Sequence, residues 1–149
     1  MPATSVFDSA VNEHDVVQQI YINLGKASAN LGAALAHPER RSIIVDGCLK
    51  RFCLASDLSW KALNACLVAR GVAEPKTPRE TFKAAFAAGL IDAEDIWLDM
   101  LDARNQTSHA YDETMAMAIY VQLPGFWRQL HQLSERLLAE FQPAVGSAP

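Results

Sequence analysis

Between Glu39 and Arg70 the chain contains no proline, and Gly47 is the one residue that disfavours a helix. A helical stretch of that length restricts the architecture, because its apolar residues must be buried against several neighbours. One stripe runs through Ile44, Cys48, Phe52, Ala55, Ala62 and Cys66, and a second through Leu54, Leu58 and Ala65. The spacing is helical, and two stripes make this the central helix of a bundle. Nowhere does the sequence alternate with a period of two for long enough to argue a strand. The expected fold is all-α, an antiparallel bundle of about five helices.

The flanking elements follow from the same signals. Val17, Ile20, Leu24, Ala27, Leu31 and Ala34 predict a first helix from about Asp8 to Ala36. His37-Pro38 ends it, because the residue before proline is pushed out of helical geometry, and the second helix then starts near Glu39. Gly71 stands where a helix C-terminus wants a left-handed residue. Thr77-Pro78-Arg79-Glu80 reads as a capping box opening a short third helix that Gly89 closes. Asp92 is the expected cap of a fourth, with Ile96, Trp97, Met100 and Leu101 pointing inward. Asp112 caps the last helix, which Pro124 should kink or break. The chain is expected to form a single helical domain, 1–149, with an ordered core of about 8–142 and a frayed tail at 143–149.

No apolar run approaches the roughly 18 residues of a membrane span. Asp8, Glu13 and Asp15 occupy the place of a signal peptide's basic and apolar regions, so a cytoplasmic protein is expected. Cys48, Cys53 and Cys66 form no Cys-x-x-Cys pair and read as buried thiols, not as a metal site. The net charge of −4 is unevenly spread. Nine basic against five acidic residues give +4 over 38–91, whereas 92–149 carries −6. Bulk nucleic-acid binding is excluded by that overall balance, although a local basic face on the middle segment is not.

Chemistry-bearing groups concentrate in Arg104-Asn105-Gln106-Thr107-Ser108-His109-Ala110-Tyr111. A guanidinium neutralises phosphate, an imidazole moves a proton near neutral pH, and a phenol accepts a transferred group. At about 100° per residue Arg104 and Tyr111 share a face, whereas Arg104 and His109 converge only if the helix ends or bends between them. A purely local reading has Arg104 paired with Asp99 or Asp102 at a helix C-terminus and Tyr111 packed. His14, His37 and His131 have no comparable company.

These eight residues match the Arg-x4-His-x-Tyr motif of HEPN-domain proteins. The preceding Trp97-Leu-Asp-Met-Leu resembles the nucleotidyltransferase substrate-binding branch of that group. Arg51-Phe-Cys-Leu-Ala-Ser-Asp-Leu-Ser-Trp60-Lys61 resembles its second helix, and Thr77-Pro-Arg-Glu-Thr-Phe with Ala88-Gly-Leu-Ile91 its third. The resemblance covers roughly residues 8–142. It implies a helical, usually dimeric protein encoded beside a minimal nucleotidyltransferase. Some members are RNase toxins needing no metal or cofactor, silenced when the partner transfers AMP to the motif tyrosine, here Tyr111. Others are non-catalytic subunits that present a substrate to the nucleotidyltransferase. In the first case Arg104, Asn105 and His109 are the catalytic candidates, with Ser108, Arg51 and Lys61 as candidate substrate contacts. A third reading is a helical scaffold whose motif merely caps a helix. The chain departs from the branch at Cys53, where a carboxylate is common, and at Ser56, often aromatic. Both positions are expected to lie away from the Arg104 motif and to bear on partner contacts more than on chemistry.

Cleaving RNA without a metal requires a base on the 2′-hydroxyl, an acid on the leaving oxygen and a cation for the developing phosphorane charge. One imidazole per chain serves a single proton transfer at a time, so a homodimer joining two motifs is expected.

Overall fold

A computed structural model describes residues 5–37, 42–108 and 112–141, with side chains from residue 13 onward. Among them are α1 (Ser5–Leu35), α2 (Ser42–Ala69), α3 (Pro78–Ala87), α4 (Glu94–Gln106), α5 (Glu113–Tyr120), α6 (Leu123–Leu138) and a terminal 3₁₀ turn, Ala139–Phe141, with no strand. None of these helices is long and apolar enough to cross a membrane.

The central role expected for α2 holds, since it packs against α1, α3, α4, α5 and α6. Its first stripe is core except at Ile44, which is only partly covered: Cys48, Phe52, Ala55, Ala62 and Cys66 are buried, joined by Val45, Leu49, Leu63 and Leu67. The second stripe is not core. Leu54 is 56% exposed, and Leu58 and Ala65 are only partly covered. The outer face of α2 is therefore left open toward solvent, a point that matters below.

Helices α1 and α6 run antiparallel, with Trp127 of α6 donating through Nε1 to the Ser28 carbonyl at 2.9 Å. Gly32 makes this approach possible: a Cβ there would stand 2.7 Å from the indole Nε1 and 2.9 Å from Cε2. Gly47, also helical, has nothing within 4 Å of where a Cβ would stand. Both glycines forgo the roughly 1 kcal/mol of helix propensity that alanine would add. That gain is shared, so comparing the two alanine variants isolates the clash. Gly32→Ala is expected to be less stable than Gly47→Ala by about 1–3 kcal/mol in urea unfolding. Equal stabilities would show that the indole moves aside freely.

Local signals mostly place the ends. Gly71 adopts φ 85°, and the amides of Gly71 and Val72 reach the carbonyls of Val68 and Leu67, the double bond of a Schellman closure. Gly89 repeats it at φ 75°. Thr77 Oγ1 accepts from the Glu80 amide at 3.1 Å, but Glu80 reaches the amide of Lys76, one residue before the expected partner. Asp112 accepts from the Thr114 amide at 2.9 Å, as expected of a cap.

One cap is corrected. Asp92 does not cap α4; Ala93 takes that place without a side-chain bond, and Asp92 pairs instead with Arg136 of α6 at 3.2 Å. Of the kink or break expected near Pro124, the structure has the break. The chain turns at Val121–Gln122 and α6 begins anew with Pro124 in its first turn, where a missing N–H costs nothing. This adds one helix to the expected five. The residues from Glu39 to Arg41, where α2 was expected to start, and the tail from Gln142 lie outside the described residues.

Candidate functional site

The end of α4 meets the middle of α2 in antiparallel fashion, and the motif arginine lies at that contact. Arg104 Nε donates to Asp57 Oδ1 at 2.9 Å and Nη2 to Asp57 Oδ2 at 3.0 Å, a two-point pairing. Nη1 donates to Thr107 Oγ1 at 3.2 Å and to Ser108 Oγ at 3.1 Å. The hydrogen bond to Asp57 is the main reason the guanidinium is held charged even more firmly than usual. Local pairing with Asp99 or Asp102 does not occur: Asp102 binds Arg79 at 3.0 Å.

Thr107 locks this corner. Its hydroxyl donates to the Arg104 carbonyl at 2.6 Å, which uses its only hydrogen. The Cys53 Sγ at 3.1 Å must then donate S–H to Thr107 Oγ1. Cys53 is thus part of the Arg104 cluster, which corrects the expectation that this position lies away from the motif. Cys48 and Cys66 are buried, as expected of small apolar thiols.

Counting donors shows what the arrangement can still bind. Among the described residues, partners engage four of the five guanidinium N–H groups. The fifth, on Nη2, has no partner among those residues, and the neighbouring Nη1 bond goes to an exposed serine that rotates easily. Asp57 holds the side edge of the guanidinium, and the end edge formed by Nη1 and Nη2 can take an oxyanion once Ser108 swings away. A cavity of about 340 Å³ opens beside it, lined by Asp46, Lys50, Cys53, Arg104, Thr107 and Met115 among others. Lys50 is exposed and adds a second cation to this lining.

The expected site residues are only partly brought together. Arg104 and Ser108 are joined directly. Asn105 is exposed on the next position of α4. Lys61 is exposed on α2 one turn beyond Asp57, at i+4 and so on the same face. Arg51 turns toward α1, its Nη1 contacting the Asn30 carbonyl at 3.4 Å, away from the motif. His109 and Tyr111 lie outside the described residues. Asp57 was not singled out from sequence, and Lys50 only as one member of the basic middle segment. Asp57 did carry a signal, as the one carboxylate between Asp46 and Glu74. No group of three or more metal-binding side chains occurs among the described residues.

Comparison with known proteins agrees with this fold. Residues 19–139 match the family model described as nucleotidyltransferase substrate binding protein like. The chain belongs to that family, a branch of the HEPN-domain helical bundles. It is 31% identical over 98 residues to the probable ribonuclease HepT of Haemophilus influenzae, covering 63% of this chain and 67% of the relative. A crystal structure of a Thermus thermophilus protein superimposes with a TM-score of 0.72 at 30% identity, over 76% of this chain and 98% of the other.

Proposed function

We propose that this protein is a metal-independent HEPN-type RNase toxin, active as a homodimer and neutralised when a cognate minimal nucleotidyltransferase transfers AMP to Tyr111. The observation that carries the reading is Arg104, fixed along one edge by Asp57 and lining a cavity that also holds Lys50. Two cations beside an open cavity suit a phosphodiester. The name of the Haemophilus relative points the same way. In the reaction the 2′-oxygen bonds to phosphorus and the P–O5′ bond breaks. One His109 takes the 2′ proton, and the His109 of a second copy protonates the departing oxygen. Arg104 offsets the charge gathering on the phosphoryl oxygens. The test is RNA cleavage by the purified chain in excess EDTA: none would sink the reading.

A surface for the second copy is available beside the site. At 100° per residue, Ile43, Gly47, Lys50, Leu54 and Asp57 lie within about one quarter of the α2 circumference. Ile43 is 74% exposed and Leu54 56%. Met117 on α5, which packs against α2, and Val121 just after it are exposed too. Gly47 between them lets another helix approach closely. Gly47→Leu is expected to raise the dimer dissociation constant at least about tenfold, near 1.4 kcal/mol, in analytical ultracentrifugation without loss of helicity. An unchanged dimer would remove this face from consideration.

AMP on Tyr111 would place a bulky anion beside the proposed cleft and repel RNA by volume and charge. Incubated with the partner, ATP and Mg²⁺, the chain is expected to gain one AMP by intact mass, and Tyr111→Phe none. Equal gain by both would move the acceptor elsewhere.

A second reading, a non-catalytic subunit presenting a substrate to the nucleotidyltransferase, draws on the family's description and on how fully Arg104 is already occupied. A substrate-presenting site would bind nucleotide without cleaving RNA, so the EDTA experiment separates the two.

A further inference from the structure

We propose that the groove between the 13–21 segment of α1 and the C-terminal end of α2 is a docking site for a basic amphipathic helix of another protein. The groove is lined mainly by apolar side chains and encloses about 940 Å³. Two turns of helix, a cylinder about 10 Å across and about 11 Å long, occupy about 850 Å³. Its floor is built from Val17 and Ile20 on one wall and Ala65 on the other. Val16 and Val68 form the lips and stay 51% and 47% exposed. Valines half-exposed along a concave apolar strip mark a binding surface more than ordinary surface scatter.

Charge decides the occupant. Glu13, Glu74 and Glu140 line the groove, and no lysine or arginine does among the described residues. Arg70, the nearest cation in the network, is already paired with Glu140. The flanking segments of the chain do not supply the complement: there is no lysine or arginine before Lys26 or after Arg136. The tail beyond Phe141 is small and uncharged. A ligand with apolar residues on one face and lysines or arginines beside them satisfies both floor and rim.

The walls are preformed. Phe141 packs edge-on against His14 and Tyr21, with ring centroids 4.9 and 5.2 Å apart, which fixes the 3₁₀ turn at one end of the groove. Burial and the Cys66 contact push the Tyr21 hydroxyl's pKa well up, so that hydroxyl stays neutral. The groove shares no lining residue with the Arg104 cavity.

The test uses the full chain and a fluorescein-labelled synthetic helix with leucines on one face and lysines beside them, against a twin carrying glutamates for the lysines. Fluorescence anisotropy is expected to show the lysine peptide binding at least about tenfold more tightly. Glu13→Lys with Glu74→Lys should abolish that preference, and Val16→Asp with Val68→Asp should remove binding while circular dichroism stays unchanged. Asp95→Lys with Asp99→Lys, on α4, should leave it intact. Equal loss in the α4 variant would reduce the effect to general charge attraction and overturn the proposal. So would a groove variant that alters the chain's own oligomeric mass, or tighter peptide binding after removal of residues 142–149, because the occupant would then be a second copy or the chain's own tail.

Discussion

His109→Ala is expected to lower RNA cleavage by the purified chain by about 10²–10⁴-fold, the range over which a positioned proton carrier contributes. The loss should relieve the growth defect caused by expressing the chain alone. Two of the other imidazoles are engaged elsewhere. His131 lies on α6 stacked on Trp127 at 5.1 Å and beside Glu135 at 3.0 Å, and His14 sits at the groove against Phe141. If each transfer needs one imidazole from each chain, a heterodimer of wild-type and mutant protomers retains at most one acid or one base at any cleft. Mixing the two proteins should then suppress activity below the wild-type fraction present. Activity strictly proportional to that fraction would mean each protomer works alone. Undiminished cleavage by the mutant would remove His109 from the chemistry altogether.

The fold was legible where the determinants are local. Gly71, Gly89, Thr77 and Asp112 each do what their side chains dictate within one turn. Periodicity found the buried stripe of α2 but not its limit, since Leu54 is as apolar as Phe52 and only the neighbours of α2 decide which is covered. Asp92 shows the same boundary. Its carboxylate had a plausible local role and was taken by Arg136, 44 residues away. At the site, the motif gave Arg104 and Ser108 because they are four residues apart on one helix end. It could not give Asp57, 47 residues distant, because spacing carries no information about contacts between helices. Cys53 was misplaced for the same reason: its thiol meets Thr107 across 54 residues.

Asp57 and Arg104 are expected to act as a unit. Arg104→Lys should cost about 10²–10³-fold in kcat/KM, because a single ammonium cannot keep the Asp57 bonds and offer a two-point edge to phosphate together. Asp57→Asn should cost less, on the order of 10-fold to 10²-fold. It leaves the charge of Arg104 in place but frees the guanidinium to rotate off its productive edge, and small misplacements of that kind carry such penalties. Stability should change little, by about 1 kcal/mol or less, since both side chains are partly exposed and solvent screens the pair. The decisive measurement is the double variant. If Asp57 works by orienting Arg104, adding Asp57→Asn to Arg104→Lys should cost almost nothing more. Additive losses would mean that the carboxylate contacts substrate on its own. A gain in phosphate affinity on Asp57→Asn alone would mean that it holds Arg104 back, the behaviour expected of a substrate-presenting subunit and not of a nuclease.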